Sequence, residues 1–233
     1  MIFALTKFKL RNTPENQTQR VSEFLEKAVL PAATRASVGT MGFFSSVVAP
    51  DSPFILVLAS FPSLAGMESA MEKMAADKEY VAATRAFDAR PGLGYMRLER
   101  SLLRGFEKMP AIEVPPTEGR KQGRIFELRV YESNNGSTLR EKIRMFNEGE
   151  IDIFRKTGLA PVFFGETIVG TNMPNLTYMV AFDDLASREK NWRAFGGSPE
   201  WQKLRATPGW GDAEIVSNIS NSLLRPLPFS PIR

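Results

Sequence analysis

The chain has 233 residues, 43% hydrophobic and 24% charged, with a formal net charge of +4. It contains no cysteine and no histidine, which excludes disulfides, thiolate and Ser-His-Asp nucleophiles, zinc sites built on Cys or His, and haem on a proximal His. The nearest approach to a basic stripe, Arg97, Arg100, Arg104 and Lys108, reads as the solvated side of a strand and its exit, so no nucleic-acid partner is expected.

In chain order, Ile2 to Phe8 reads as a strand. Val21, Phe24, Leu25, Ala28 and Val29 follow the i, i+3, i+4, i+7, i+8 spacing of an amphipathic helix. Pro50-Asp-Ser-Pro53 marks a hairpin turn. Phe54 to Phe61 is the longest apolar stretch, far too short for a membrane span. Met67, Met71 and Met74 lie on one face of a further helix and read as adaptable core filling. A closing strand ends at Leu103. Residues 107–123 hold three prolines, two glycines and six charges with no apolar period, the composition of a linker.

The second half repeats this order. Ile125 to Tyr131 alternates as a strand, and Ser137 resembles a helix N-cap with Glu141 beyond it. Leu139, Ile143, Phe146, Ile153 and Phe154 fit a long helix that Gly158 ends. Pro161 to Val169 and Leu176 to Phe182 are strands around a turn at Asn172, Pro174 and Asn175. Asp183 or Asp184 caps a helix bearing Leu185, Trp192 and Phe195. Pro199 opens another helical segment, and a last strand runs from about Ala213 to Leu224.

The repetition is visible residue by residue. Shifted by 121 positions, residues 54–104 lie on 175–225 without a gap, and nine of the 51 pairs are identical, where ordinary usage gives roughly three. The matches cluster: Ser101-Leu-Leu-Arg104 meets Ser222-Leu-Leu-Arg225. The expected class is α+β, with two tandem ferredoxin-like β-α-β-β-α-β repeats at 1–106 and 124–233, joined by the linker 107–123. A sheet covered by helices on one face needs a partner for the other, and the tandem copy supplies it.

Phe126-Glu-Leu-Arg-Val-Tyr131, Gly158, Phe163-Phe-Gly165, Tyr178-Met-Val-Ala-Phe-Asp-Asp-Leu185 and Arg188-Glu-Lys-Asn-Trp-Arg-Ala-Phe195 resemble the NIPSNAP family. The likeness covers 124–225 well and 2–104 more weakly, because Ile2 to Phe8 lacks the Glu-Leu-Arg-x-Tyr pattern. The resemblance implies a dimeric α/β-barrel architecture, here a pseudo-dimer within one chain, and a function that is uncharacterised for most bacterial members.

Alternation puts Phe126, Leu128 and Val130 on one strand face and Glu127, Arg129 and Tyr131 on the other. The apolar face is expected to meet the helices and the mixed face to point into the barrel. The first-half counterparts Ala4, Thr6 and Phe8 are not charged, so a site would be asymmetric and lie in the second half. Glu127 and Arg129 form either a structural ion pair or a pocket wall, with Arg129 holding a carboxylate or phenolate and Glu127 a base. Tyr131, Tyr178 and Asn218 complete the candidate ligand-binding set. The expected function is a non-catalytic or small-molecule-binding barrel protein. The alternative is a cofactor-independent oxygenase or isomerase acting on a small acidic or aromatic molecule. No cofactor or metal is expected. A homo-oligomer is, because exposed strand edges favour association. No leader pattern opens the chain, so a cytoplasmic location is expected, with a trimmed export signal left open.

Overall fold

The computed structural model describes residues 1–117 and 123–233. Its first half runs β1 (Ile2–Lys9), α1 (Gln17–Phe24), a π-helical turn (Leu25–Val29), α2 (Leu30–Arg35), β2 (Met41–Val48), β3 (Phe54–Phe61), α3 (Leu64–Ala76), α4 (Lys78–Ala89) and β4 (Arg97–Gly105). The second runs β5 (Ile125–Glu132), α5 (Gly136–Met145), a π-helical turn (Phe146–Glu150), α6 (Ile151–Lys156), β6 (Ala160–Val169), β7 (Asn175–Phe182), α7 (Leu185–Gly197), α8 (Pro199–Arg205), α9 (Asp212–Ile215) and β8 (Asn218–Pro226). The 121-residue offset holds for β3 and β7, α3 and α7, β4 and β8, and both π-helical turns.

Local signals explain most boundaries. Asn135, two residues before the expected Ser137, accepts from the backbone N–H of Ser137 and Thr138 and caps α5. Gly158 takes a φ of +83°, the left-handed conformation that ends α6. Asp184 caps α7 through the N–H of Ser187. The last strand begins later than expected: residues 212–215 form α9, and pairing starts at Asn218.

The strands close into one antiparallel barrel of α+β architecture in the order β1-β3-β2-β8-β5-β7-β6-β4. Each half contributes four adjacent strands, and the seams are β2–β8 and β4–β6. At the second seam Gly105 pairs with Gly165. A Cβ on Gly165 would meet Leu103 Cβ at 2.8 Å, and one on Gly105 would meet the Pro110 carbonyl at 2.8 Å, so both positions need glycine for the strands to approach.

The barrel interior is apolar and shared. Phe3, Leu5, Phe44 and Leu58 of the first half pack there with Phe126, Leu128, Phe163, Met179 and Leu224 of the second. This reverses the expected facing of β5. Phe126 and Leu128 point into the barrel, while Glu127, Arg129 and Tyr131 point to the helices. The physical reason is where polar partners lie: the interior beside Phe126 offers hydrocarbon, whereas α7 brings Arg188 and Trp192 to Glu127, and an unpaired buried charge is costly.

The segment after β4 packs rather than hangs free. Phe106 donates its N–H to the Phe164 carbonyl, Met109 is buried in the second-half core, and Glu113 donates its N–H to Val162. The tail after β8 mirrors it: Leu227 donates to the Phe43 carbonyl, and Ser230 Oγ accepts from Phe43 N–H. Residues 118–122 of the expected linker lie outside the described residues. Among the described residues no helix is long and apolar enough to cross a membrane.

Candidate functional site

Four of the five sequence-predicted residues meet between β5, β7 and α7. Glu127, fully buried, accepts four hydrogen bonds: Oε1 from Arg129 Nη1 and Arg188 Nη2, and Oε2 from Arg188 Nε and Trp192 Nε1, each at 2.8 Å. That fills the lone-pair sites of a carboxylate. Burial alone would raise its pKa, but the bonds from Arg188 and Trp192 and the nearby Arg129 charge outweigh burial and hold it below the usual range.

Arg129 also donates to Tyr131 Oη (3.2 Å), and Tyr178 Oη donates to Tyr131 Oη (2.9 Å). With its amide oxygen turned to the guanidinium, Asn221 accepts from Arg129 Nη1 at 3.1 Å. The Arg129 guanidinium stacks 4.5 Å from the Trp192 ring. Burial opposes its charge, but Tyr178, Tyr131 and Glu127 raise its pKa. Burial pushes the Tyr178 hydroxyl well above the usual tyrosine range, which keeps it a donor. Asn218 lies apart, at one end of the barrel, donating to Glu132.

A second buried pair, absent from the sequence reading, lies on the α5 side. Lys142, with no exposed surface, donates to Glu150 Oε2 at 3.1 Å, and its ammonium sits 5.0 to 5.6 Å from the rings of Phe146, Trp201 and Tyr131. Burial works against this charge, but Glu150, Tyr131 and Asp212 raise the Lys142 pKa. Complete burial pushes the Glu150 carboxyl up. The alignment of the two halves holds the missed signal: shifted by 121, Lys142 and Glu150 fall on Val21 and Val29, apolar helix positions where charges need partners.

The second half is therefore filled by aromatics and matched charges, and the first half is hollow at the corresponding place. Between its sheet and helices lies a cavity of about 280 Å³. Comparison position by position shows why. Tyr178 is replaced by Val57, Phe154 by Ala33, Phe146 by Leu25 and Trp192 by Met71, while Arg129 and Glu127 are replaced by Thr6 and Ala4. Each exchange shortens a side chain on the cavity wall.

The cavity's wall is mainly apolar, with Met67, Met71, Met74, Phe24, Phe87 and Tyr95 among its residues. Methionine adapts to irregular shapes and makes favourable contacts with aromatic rings. Among the described residues the one guanidinium on the wall belongs to Arg100, which donates to Thr6 Oγ1 at 2.9 Å and lies 4.0 Å from Met71 Sδ. Arg100, Met71 and Leu98 are exposed and also line the cavity, so they mark its mouth. The loop at the far end is held by Arg20, whose guanidinium donates to the carbonyls of Phe87, Arg90, Pro91 and Gly92.

A closed eight-stranded antiparallel barrel with helices outside, one half filled and one half hollow, defines the class. Residues 126–231 match the NIPSNAP family model. Three solved structures match over nearly the whole chain. A candidate monooxygenase from Fusobacterium nucleatum is 6% identical with a TM-score of 0.62, over 97% of this chain and 92% of that one. One from Lactobacillus acidophilus is 9% identical with a TM-score of 0.60, over 96% and 92%. An anthrone oxidase-like protein is 11% identical with a TM-score of 0.52, over 97% and 91%. At these identities the likeness is one of fold. No protein of curated function matches the sequence.

Proposed function

We propose that the protein binds a small molecule with an apolar ring body and one acidic or carbonyl oxygen, in the first-half cavity. The observation that carries this reading is the set of shortened side chains, Val57, Ala33, Leu25 and Met71, standing where the second half holds Tyr178, Phe154, Phe146 and Trp192. An apolar wall with a few polar or charged groups, here Arg100 and Asp88 among them, is the usual composition of a ligand pocket. Arg100 pairs with the oxygen, and the methionines take the ring. Glu127, Arg129, Tyr131 and Tyr178 act in this reading as the structural counterpart of the pocket, since the Glu127 carboxylate already accepts four bonds.

Calorimetric titration with 2-naphthoate tests it. Saturable one-to-one binding that Met71→Trp abolishes supports the reading; binding unchanged by Met71→Trp refutes it.

A second reading is a cofactor-independent oxygenase acting on such a ring compound, and the names of the three whole-chain neighbours favour it. Dissolved-oxygen uptake with anthrone separates the readings, because a binding protein consumes none.

The offset of 121 shared by β3 and β7, α3 and α7, and β4 and β8 supports the view that residues 1–106 and 124–233 are copies of one ferredoxin-like unit, closing as a pseudo-dimer. Closure within the chain pairs both seams, which removes the open edges that favour association. A homo-oligomer would have to use another surface.

A further inference from the structure

The barrel has a hollow of its own at one end, separate from the helix-covered cavity, with a volume of about 400 Å³. Leu5, Leu56 and Leu128 line its apolar part, and Ser101, Thr177 and Ser222 are among its polar residues. Lys7 also lines it, half-buried, with its ammonium 4.7 Å from the Phe54 ring centroid.

The packing shared by the two halves does not call for a charge at Lys7. Its counterpart in β5, reached by the same shift that sets Ile2 on Ile125, is Val130, so the barrel closes with a plain aliphatic residue at that position. Nor is it one half of an ion pair. The nearby acids Asp51 and Glu99 are bonded to Lys9 at 3.0 and 2.9 Å, and Glu132 accepts from Asn172 and Asn218. Among the described residues no carboxylate pairs with Lys7 Nζ.

The charges around the hollow decide what it would take. Three carboxylates (Asp51, Glu99, Glu132) face three cationic groups (Lys7, Lys9, Arg100), an even balance that favours neither an anion nor a cation. An amine set between leucines and hydroxyl groups suits a neutral carbonyl compound. We infer that Lys7 is a nucleophilic amine that condenses with a small polar aldehyde entering the open end of the barrel.

In that reaction Lys7 Nζ, in its neutral form, adds to the carbonyl carbon, and a proton moves from nitrogen to oxygen to give the carbinolamine. Loss of that oxygen as water leaves an imine, with no oxidant or reductant required. The hydroxyls of Ser101 and Ser222 line the hollow for an aldehyde that carries its own hydroxyl groups, while Thr177 donates to Asn175 Oδ1. Burial lowers the Lys7 pKa, with Lys9 adding to the effect and Glu99 and Asp51 opposing it, which favours the neutral form.

The test uses the intact chain, glycolaldehyde and cyanoborohydride at neutral pH, with the modified lysines followed by peptide mass mapping. Lys7 is expected to acquire the reduced adduct at least about tenfold faster than exposed Lys78 and Lys203 in the same tube. In the Lys7→Arg chain, which keeps the positive charge, that fast adduct disappears while labelling of Lys78 and Lys203 is unchanged. A Lys7 rate below that margin overturns the assignment, as does a fast adduct that persists in Lys7→Arg.

Discussion

Val57 in β3 lies opposite Thr6, and Tyr178 in β7, 121 residues later, lies opposite Arg129. The first pair lines an open cavity; in the second pair Tyr178 is fully buried against Tyr131 and Phe164. One substitution pattern, repeated along the sheet and helices, separates a hollow half from a solid one.

Arg100 is the only guanidinium among the described residues of the cavity wall, so its removal should discriminate by ligand charge. Arg100→Gln is expected to weaken 2-naphthoate by about tenfold or more and to leave a neutral ketone such as 2-acetylnaphthalene nearly unchanged. Parallel calorimetric titrations check this, and equal weakening of both compounds would contradict it.

Glu127 holds Arg129 and Arg188 together from a fully buried position. Glu127→Gln leaves two guanidinium groups without their counter-ion, at a cost of about 3–5 kcal/mol measurable by urea unfolding. The pH dependence has a definite sign. The carboxyl pKa is lower in the folded state, so its stabilisation is present above the ordinary glutamate range and is lost as pH falls through the folded pKa. Wild-type stability should drop in that acid window, and the drop should be smaller in Glu127→Gln.

The repeat suggests its own replacement for the buried Lys142–Glu150 pair. Val21 and Val29 occupy the matching positions in the first half. Lys142→Val alone strands Glu150 and should cost about 3–5 kcal/mol, whereas Lys142→Val with Glu150→Val should be neutral or stabilising by about 1–4 kcal/mol. A double-mutant cycle in urea measures the coupling. If the double variant were as unstable as the single, the pair would be contributing more than charge compensation.

The barrel interior draws side chains from both halves, and each half's trailing segment docks on the other. Unfolding should be a single transition by calorimetry and circular dichroism. Two separated transitions would show that the halves are stable alone.

The strand and helix order was legible because period-two alternation, the cap at Asp184 and the glycine at 158 act locally. The site was harder to read for a reason visible in β5. Alternation divides its residues into two faces but does not say which face meets helices, and Glu127 could be assigned only once α7 brought Arg188 and Trp192 to it. The alignment of the halves already contained the cavity. Polarity drew attention to Glu127 and Arg129, whereas the informative quantity was volume: Ala33 against Phe154, Val57 against Tyr178. Space is created by what several distant residues lack, and no single residue signals it.

The central claim is that the first half accepts a small molecule where the second half cannot. Methionine methyl groups report on both, since Met67, Met71 and Met74 line the cavity and Met145 is buried in the second-half core. In a titration of methyl-13C-methionine protein with 2-naphthoate, the resonances of Met67, Met71 and Met74 should shift together and saturate while Met145 stays in place. A saturable shift of Met145 with those three unmoved would contradict the account.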